Sequence, residues 1–442
     1  MPSTARGIDG GFVHDQTNGV APGVDPERPC CLIRNDLIRA THKAVVCRIV
    51  TAPETRFLAG HLSVTECDPI RPNPNRRVTR RPRVGFSASM SMARCAVFAG
   101  VGSPFVLESR PIPIPGRGEV LVSISMATLC GSDLHSHQGR RSAPVPGILG
   151  HEAVGRVVAV GEGRDRAWVG RRVSWTLTDS CGRCRACTCW GIPQKCERLF
   201  KYGHAGLSDG SGLNGCYASH LLLREGTHLV GIPDSLPDSL VAPANCALAT
   251  MIAVIESLPV AGDRIVVQGA GLLGLYGCAL LKECGWNEVV VVDRQPIRLL
   301  SVPHFGGTPM LSTDGTPLEA GSVDAVIEVS GSAAAVADGV RWLRPGGHYA
   351  IAGLVHPDSA LHLTGETLIR KCLTLRGTHN YAPRHLDGAI DFLSRHRGNR
   401  PWETLVSPPF PLSRLDEAFH LAASGRWPRV AVVPDPGPAT VA

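Results

Sequence analysis

The hydrophobic pattern changes twice along the chain. From residue 92 to about 247, stretches such as 119–126 and 154–160 alternate or run apolar between Gly and Pro. This pattern predicts a mainly β region. From 248 to 380, short apolar stretches such as 264–268 and 288–293 are separated by segments rich in small residues. Continuous apolar strands that alternate with helices indicate a parallel sheet covered on both faces.

The ends of the chain differ from these two regions. Residues 381–442 are predicted to return to the first, β-rich region. Residues 1–91 contain scattered Pro, Arg and Gly with no sustained periodicity, so they are predicted to be a disordered extension or sequence upstream of a natural start at Met92. The segment 293–324 is short for a strand–helix–strand unit, and we expect its helix to be short or irregular.

Composition and charge narrow the class of protein. Hydrophobic residues make up 43% and charged residues 19% of the 442 residues, which fits a soluble globular protein. Most of the net charge of +7 belongs to residues 1–91, so the remaining chain is close to neutral and a nucleic-acid partner is not predicted. No secretory signal or apolar run of membrane-spanning length is present. We therefore expect a cytoplasmic protein with no membrane partner.

A glycine-rich motif predicts a dinucleotide site. Gly269, Gly271 and Gly274 form a G-x-G-x-x-G run between a predicted strand and a helix. The first glycine permits a tight turn, the second lets the backbone approach a pyrophosphate, and the third allows close helix–strand packing. Asp293 ends the next strand, where a carboxylate binds ribose hydroxyls and repels a 2′-phosphate. NAD is therefore favoured over NADP, although Arg294 weakens that preference.

Cysteine spacing predicts a structural zinc site. Five of the 16 cysteines lie within residues 181–196, and such a cluster in a cytosolic protein indicates metal binding. Four thiolates close the coordination of a tetrahedral ion and leave no position for substrate. The candidate ligands are Cys181, Cys184, Cys187 and Cys196, with Cys189 as a fifth candidate.

A second group of metal-binding residues is dispersed along the chain. Cys130, the pair His151–Glu152 and Cys246 are weak signals separately, because a lone His or Cys is more often structural. Two thiolates and one imidazole would leave the open fourth position that a catalytic zinc needs.

Taken together, these motifs resemble the zinc-containing medium-chain alcohol dehydrogenases over residues 93–435. The resemblance implies a GroES-like, mainly β catalytic domain at 92–247, a Rossmann NAD-binding domain at 248–380 and a return to the catalytic domain at 381–442. It implies hydride transfer between NAD(H) and an alcohol, aldehyde or ketone, and assembly as a homodimer or homotetramer. The implied site residues are the catalytic zinc ligands Cys130, His151 and Cys246, Glu152 beside the metal, Ser132 and His135 as a proton relay, and Arg429 on the cofactor phosphates.

The chain departs from the family at the cysteine lobe. Eight residues separate Cys187 from Cys196, one more than the family pattern, so either a bulge is tolerated or Cys189 takes part. A narrower resemblance, in 199–204, 242–247 and 377–386, is to a subgroup associated with phosphonate metabolism. From Lys201, with His204, we predict an anionic substrate that carries a phosphonate or phosphate group; a solvated surface lysine is the alternative.

Two other functions remain open from the sequence. The first is a polyol, sugar or cyclitol dehydrogenase of the same superfamily. Many of these have a carboxylate as the third ligand, where this chain has Cys246. The second is a zinc-ribbon module that binds nucleic acid or protein without catalysis. Such a module has no use for the glycine motif or for His151–Glu152.

Overall fold

The computed structural model describes residues 91–259, 261–312 and 318–436. The N-terminal extension predicted at 1–91 lies outside this part of the chain, apart from Ser91. The described chain forms 15 β-strands: β1 Met92–Val97, β2 Val106–Pro111, β3 Val120–Leu129, β4 Glu152–Val160, β5 Arg172–Trp175, β6 His220–Leu223, β7 Leu229–Gly231, β8 Arg264–Gln268, β9 Glu288–Asp293, β10 Thr308–Leu311, β11 Val323–Glu328, β12 Leu343–Ile351, β13 Thr374–Gly377, β14 Phe410–Pro411 and β15 Val430–Val433.

Most of the α-helices belong to the second half of the chain. Those in the described residues are α1 Gly131–His137, α2 Arg185–Thr188, α3 Asp238–Val241, α4 Ala249–Glu256, α5 Leu272–Glu283, α6 Pro296–Leu299, α7 Ala334–Trp342, α8 Gly365–Arg370, α9 Pro383–His396 and α10 Leu415–Ala423. A π-helix, Ala244–Leu248, precedes α4 directly. The helix expected to be short after β9 has four residues, α6.

The first sheet is mainly antiparallel. Its order is β14-β15-β3-β4-β5-β7, and β6 pairs with β3. The C-terminal strand β15 lies beside β3, with Val430 opposite Leu129. The chain therefore returns to the β-rich region after leaving it, as its sequence pattern indicates.

The second sheet is parallel throughout, in the order β10-β9-β8-β11-β12-β13. Both faces of it are buried, because Ile265 and Val267 of β8 pack into one apolar cluster and Val266 between them packs into another. The order in which strands are added reverses between β8 and β11, which is where a sheet of this type opens a crevice at the carboxyl ends of its strands. The strands predicted at 264–268 and 288–293 have the same bounds in the structure.

One helical run links the two sheets. By length and composition alone, the 19 residues Asp238–Glu256 could cross a membrane, but 67% of the apolar 18-residue stretch within them is buried inside the fold. Leu248, Met251 and Val254 pack in the same cluster as α5 and α9. This run is the core helix on which the two halves of the protein meet.

Candidate active site

The first functional side chain follows β3. Cys130 is the N-cap residue of α1, and its backbone N–H donates to Asp133 Oδ2 at 2.9 Å. This bond satisfies a donor that the helix itself leaves unpaired and fixes where α1 begins. Ser132 and His135 are three residues apart on α1, so they share one face of it, and both line the same cleft as Cys130.

His151 and Glu152 stand at the start of β4, beside the end of β3. Thr128 of β3 is opposite Glu152, so the antiparallel register alone brings Cys130 and His151 together. Gly150 precedes them with a φ of +89°, and a Cβ there would lie 2.8 Å from the Tyr217 ring. Only glycine fits this turn, which delivers His151 into the site.

Cys246 comes from the helical run that links the two sheets. It lies in the π-helix Ala244–Leu248, and the wider turn of such a helix often occurs at functional sites. Its neighbour Asn245 is fully buried and donates from Nδ2 to the carbonyl oxygens of His151 at 3.1 Å and Trp175 at 3.0 Å. Tyr381 OH donates to the Asn245 carbonyl. These bonds dock the helix that carries Cys246 onto the strand that carries His151.

The four candidate ligand atoms of Cys130, His151, Glu152 and Cys246 all lie within 4.8 Å of one another. Glu152, however, receives two bonds from Arg429, at 2.8 and 2.9 Å, and one from Thr128 Oγ1 at 2.6 Å. The other three residues therefore make a two-thiol, one-imidazole donor set that suits zinc and leaves a fourth position open.

Electrostatics around this set favour the deprotonated form of the Cys130 thiol. The Cys246 thiol and the nearby Arg429 charge hold the pKa of Cys130 well below its usual value, so this sulfur gives up its proton readily. Burial raises the pKa of Glu152 to about 7, although Arg429 opposes that rise. A deprotonated sulfur is the form that binds a metal.

Asp133 is a functional residue that the sequence analysis missed. It is fully buried, and its Oδ1 lies 3.3 Å from His151 Nδ1 while its Oδ2 accepts from Tyr217 OH at 3.0 Å. Burial by itself lowers the pKa of His151, but the nearby Asp133 carboxylate has the opposite and larger effect. The pKa of His151 is therefore raised to about 10. A carboxylate on the far nitrogen of a ligating histidine fixes its tautomer and makes it a stronger ligand. The only signal in the sequence is the position of Asp133 three residues after Cys130.

The four lobe cysteines also come together. Their sulfur atoms lie within 4.8 Å of one another, and Cys184 Sγ is 3.4 Å from Cys187 Sγ and 3.8 Å from Cys196 Sγ. Tetrahedral zinc with Zn–S bonds of about 2.3 Å separates its sulfurs by about 3.8 Å. Backbone amides point at the sulfurs as well, with Cys181 N donating to Cys196 Sγ at 3.2 Å. Cys189 is exposed and stands outside this group, so the geometry selects Cys187.

The glycine run forms a cradle at the switch point of the parallel sheet. A Cβ on Gly269 would lie 2.9 Å from Ser330 Cα, and one on Gly274 would lie 2.0 Å from the Gly269 oxygen. A Cβ on Gly271 would meet nothing within 4 Å, so open space faces this glycine. Asp293 accepts from Ala270 N at 2.8 Å and thereby holds the turn against β9. Both features fit a dinucleotide.

One cleft joins the donor set to the cradle. Cys130, His151 and Cys246 line one end of it, and Ala270 and Gly271 line the other. No Asp or Glu is among its described lining residues, whereas five basic residues are: Arg141, Lys201, Arg298, Arg426 and Arg429. The surface of the cleft is therefore suited to anionic groups.

Lys201 lies in this cleft, and His204 does not. Lys201 lines the cleft, and the turn that follows it packs tightly against the residues that precede His151. A Cβ on Gly203 would lie 2.4 Å from the Gly150 oxygen. Burial lowers the pKa of Lys201 to about 8, and the positive charge of Arg141 adds to this effect. His204 stacks on His151 with ring centroids 5.5 Å apart and is not one of the residues that line the cleft. This stacking supports His151, and the predicted contact of His204 with a substrate stays a prediction.

Arg429 serves the metal end of the cleft in this structure. Its guanidinium pairs with Glu152 and lies 3.6 Å from Cys130 Sγ. The expected contact with cofactor phosphates stays a prediction. Arg298 and Arg426 line the cleft too, and neither forms an ion pair within the described chain.

Comparison with known proteins identifies the two halves. The family model of the alcohol dehydrogenase GroES-like domain matches residues 116–234, and that of the zinc-binding dehydrogenases matches residues 273–395. The crystal structure of an alcohol dehydrogenase from Thermotoga maritima is 30% identical, with a TM-score of 0.72, and the match covers 78% of this chain and 100% of that one. The expected GroES-like and Rossmann domains are thereby confirmed.

Several relatives carry named activities. A sorbitol dehydrogenase of Halalkalibacterium halodurans is 28% identical over 341 residues, which are 75% of this chain and 96% of that protein. An L-threonine 3-dehydrogenase of Sinorhizobium medicae is 29% identical over 343 residues, 74% of this chain and 94% of that protein. A 5-exo-hydroxycamphor dehydrogenase of Pseudomonas putida is 29% identical over 358 residues, 76% and 97% respectively. All three names describe enzymes that act on an alcohol.

The role of Asp133 can be measured by metal retention. Replacing Asp133 with Asn keeps its shape but removes the negative charge beside His151, and we expect metal affinity at this site to fall about 10–100-fold. Chelator competition should release one of two zinc ions per chain more readily, while the lobe keeps the other. Asp324→Asn, in the parallel sheet, is the matched control. Zinc affinity in Asp133→Asn that equals the wild-type value at this site would contradict this role.

Two glycines of the cradle differ in the space around them, so alanine at each should have a different effect. A methyl group at Gly271 would occupy open space, so Gly271→Ala should unfold at the wild-type temperature yet bind NADH about tenfold or more weakly. A methyl group at Gly274 would collide with the Gly269 carbonyl, so Gly274→Ala should lose both thermal stability and binding. NADH fluorescence titration and thermal unfolding measure the two effects. Gly271→Ala with full affinity would show that the cofactor lies elsewhere.

Proposed function

The chain belongs to the zinc-dependent medium-chain alcohol dehydrogenases, and from this membership we propose that it transfers a hydride between the CH–OH carbon of an anionic alcohol and NAD⁺. It is an oxidoreductase that acts on CH–OH groups. The observation that carries the proposal is one cleft that has the Cys130–His151–Cys246 set at one end and the glycine cradle at the other. A two-cysteine, one-histidine set is the one that catalytic zinc uses in alcohol dehydrogenases.

Cys130, His151 and Cys246 would hold the catalytic zinc, which acts as a Lewis acid and lowers the pKa of the substrate hydroxyl. Asp133 keeps His151 Nε2 directed at the site by occupying the space beside Nδ1. Arg429 balances the charge of Glu152 and approaches Cys130 Sγ, which limits the negative charge that accumulates on the donor set.

Ser132 and His135 are the residues proposed to move the proton. Ser132 Oγ lies 3.4 Å from His151 Nε2, so its hydroxyl stands beside the position where a substrate oxygen would bind. Burial lowers the pKa of His135, with Arg140 adding to the effect, and the imidazole is therefore neutral and able to accept a proton. Their i, i+3 spacing puts both side chains on the same face of α1, which supports a shared role in moving the proton.

Gly269, Gly271, Gly274 and Asp293 would hold NAD⁺, which accepts the hydride when it is bound. The open space at Gly271 admits the pyrophosphate, and the Asp293 carboxylate at the end of β9 is placed to accept from ribose hydroxyls. That carboxylate would repel a 2′-phosphate, so we propose NAD rather than NADP. Arg298 and Arg426, together with Arg429, are the proposed phosphate partners.

The substrate end of the cleft supports an anionic substrate, with phosphonate or phosphate esters as the proposed class. Lys201 and Arg141 both line it, and neither forms an ion pair within the described chain. His379 lies beside them, and its Nδ1 accepts from Lys195 Nζ at 2.6 Å. A buried cation without a partner is costly, and an anion on the substrate would supply that partner.

A polyol or sugar is the second candidate substrate, since one relative is a sorbitol dehydrogenase. The third ligand of the set is a cysteine, Cys246, rather than the carboxylate that many polyol dehydrogenases have. This ligand and the cationic lining both favour the anionic alcohol. Assembly as a homodimer or homotetramer stays a prediction from the family resemblance, and a cytoplasmic location stays a prediction from the sequence.

A substrate panel tests the proposal directly. With NAD⁺ present, absorbance of the reduced nicotinamide should rise faster with 2-hydroxyethylphosphonate than with 1-propanol or sorbitol. Lys201→Met should raise KM for the phosphonate about tenfold or more, since it removes a charged hydrogen bond, and leave KM for propanol unchanged. Lys201→Arg is the charge-retaining control. An unchanged ratio of the two KM values in Lys201→Met would refute the anionic substrate.

Protonation of Lys201 also predicts a pH dependence. The ammonium form is present below its pKa of about 8 and is lost as pH rises through that value. KM for 2-hydroxyethanesulfonate, whose own charge is constant across the neutral and alkaline range, should therefore rise above about pH 8. The rise should be absent with propanol and absent in Lys201→Arg, because arginine keeps its charge. The same KM rise in Lys201→Arg would assign the effect to another group.

A further inference from the structure

A buried carboxylate lies behind the turns that follow β11 and β12, which form one wall of the cleft. Glu328, the last residue of β11, has no exposed surface. Its Oε1 accepts from Ser330 Oγ at 2.9 Å and from Gly331 N at 2.7 Å, and its Oε2 accepts from Gly353 N at 3.0 Å. Every one of these contacts comes from a donor, so they stabilise the ionised carboxylate. Burial raises the pKa of Glu328 and the same donors oppose the rise.

The residues that Glu328 holds form the surface of the cleft. Ser330, Gly331 and Gly353 all line it, beside the glycine cradle. A Cβ on Gly353 would lie 2.7 Å from Gly331 N and 2.8 Å from Glu328 Oε2. The turns after β11 and β12 are therefore packed onto this carboxylate without spare room, and only one layer of backbone separates its charge from the cleft.

Sheet order indicates which half of the cofactor this wall would face, given the proposed function on which the inference rests. Asp293 ends β9, on one side of β8, and its carboxylate is suited to the adenosine ribose. β11 and β12 lie on the other side of β8. A dinucleotide that crosses the switch point therefore places its nicotinamide half over the turns at Ser330 and Gly353.

We infer that Glu328 is a positioning residue whose buried negative charge favours the oxidised cofactor over the reduced one at this wall. The nicotinamide ring of NAD⁺ carries a positive charge and that of NADH carries none, so only the oxidised ring is attracted by a carboxylate behind the backbone. Glu328 forms no ion pair within the described chain, so no neighbouring cation cancels its charge. At an effective dielectric constant of about 20, a unit charge about 12 Å from the ring changes the binding equilibrium by about tenfold.

Binding of the two cofactor forms, measured without turnover, tests the inference. The dissociation constant of NADH comes from its fluorescence and that of NAD⁺ from displacement of NADH. In Glu328→Gln the ratio of the NAD⁺ constant to the NADH constant should rise about fivefold or more over wild type. Glu328→Asp retains the charge, so its ratio should stay near the wild-type value even where both constants rise through looser packing.

The alternative is a structural role, in which Glu328 only shapes the two turns. A neutral variant would then weaken NAD⁺ and NADH by the same factor, and an unchanged ratio in Glu328→Gln would overturn the inference. Glu328→Met, which is also neutral, carries the same prediction and replaces Glu328→Gln where thermal unfolding shows that variant to be misfolded. Wild-type protein that binds neither NAD⁺ nor NADH would overturn the proposed function as well.

Discussion

The buried carboxylate of Asp133 is the contact on which the active site depends. It binds the amide of Cys130, lies beside Nδ1 of His151 and accepts from Tyr217 OH, so it ties three segments of chain to one point. A lone carboxylate in a protein interior is unstable unless donors surround it, and here the donors belong to the residues that must be placed. The cost of burying this charge is offset by contacts that also fix the geometry of the donor set.

From that point the site extends through neighbouring strands. β4 and β15 flank β3, so Glu152 and Arg429 meet beside Cys130 although they are far apart in sequence. The second half of the fold joins through Asn245, whose side chain bridges to the carbonyl of His151. Cys246 is therefore positioned by hydrogen bonds across the interface of the two halves, and the metal ligands and the cofactor cradle open into one cleft.

The sequence predicted what periodicity and ligand chemistry determine. The bounds of β8 and β9, the short helix after β9 and the lobe cysteines follow from local patterns. The dispersed set of Cys130, His151 and Cys246 followed only from the family resemblance of the motifs taken together. Roles that depend on distant partners did not follow. Asp133 carries no motif of its own, and the stacking of His204 behind His151 depends on the fold of the intervening turn. The extra lobe residue made Cys187 a less secure ligand in the sequence, with Cys189 as a fifth candidate, and the positions of the sulfurs in the fold select Cys187.

The distribution of charge around the cleft gives the site its chemical character. Three carboxylates around it, Asp133, Glu152 and Glu328, are buried behind its walls and accept from donors, whereas its lining contains five Lys and Arg residues and no Asp or Glu. Buried anions act at short range on what lies directly in front of them, a ligating imidazole in one case and a nicotinamide ring in another. The cations that line the cleft act on ligands that enter from solvent, because they attract anionic phosphates and substrates. Arg429 connects the two groups of charges, since it lines the cleft and also pairs with the buried Glu152.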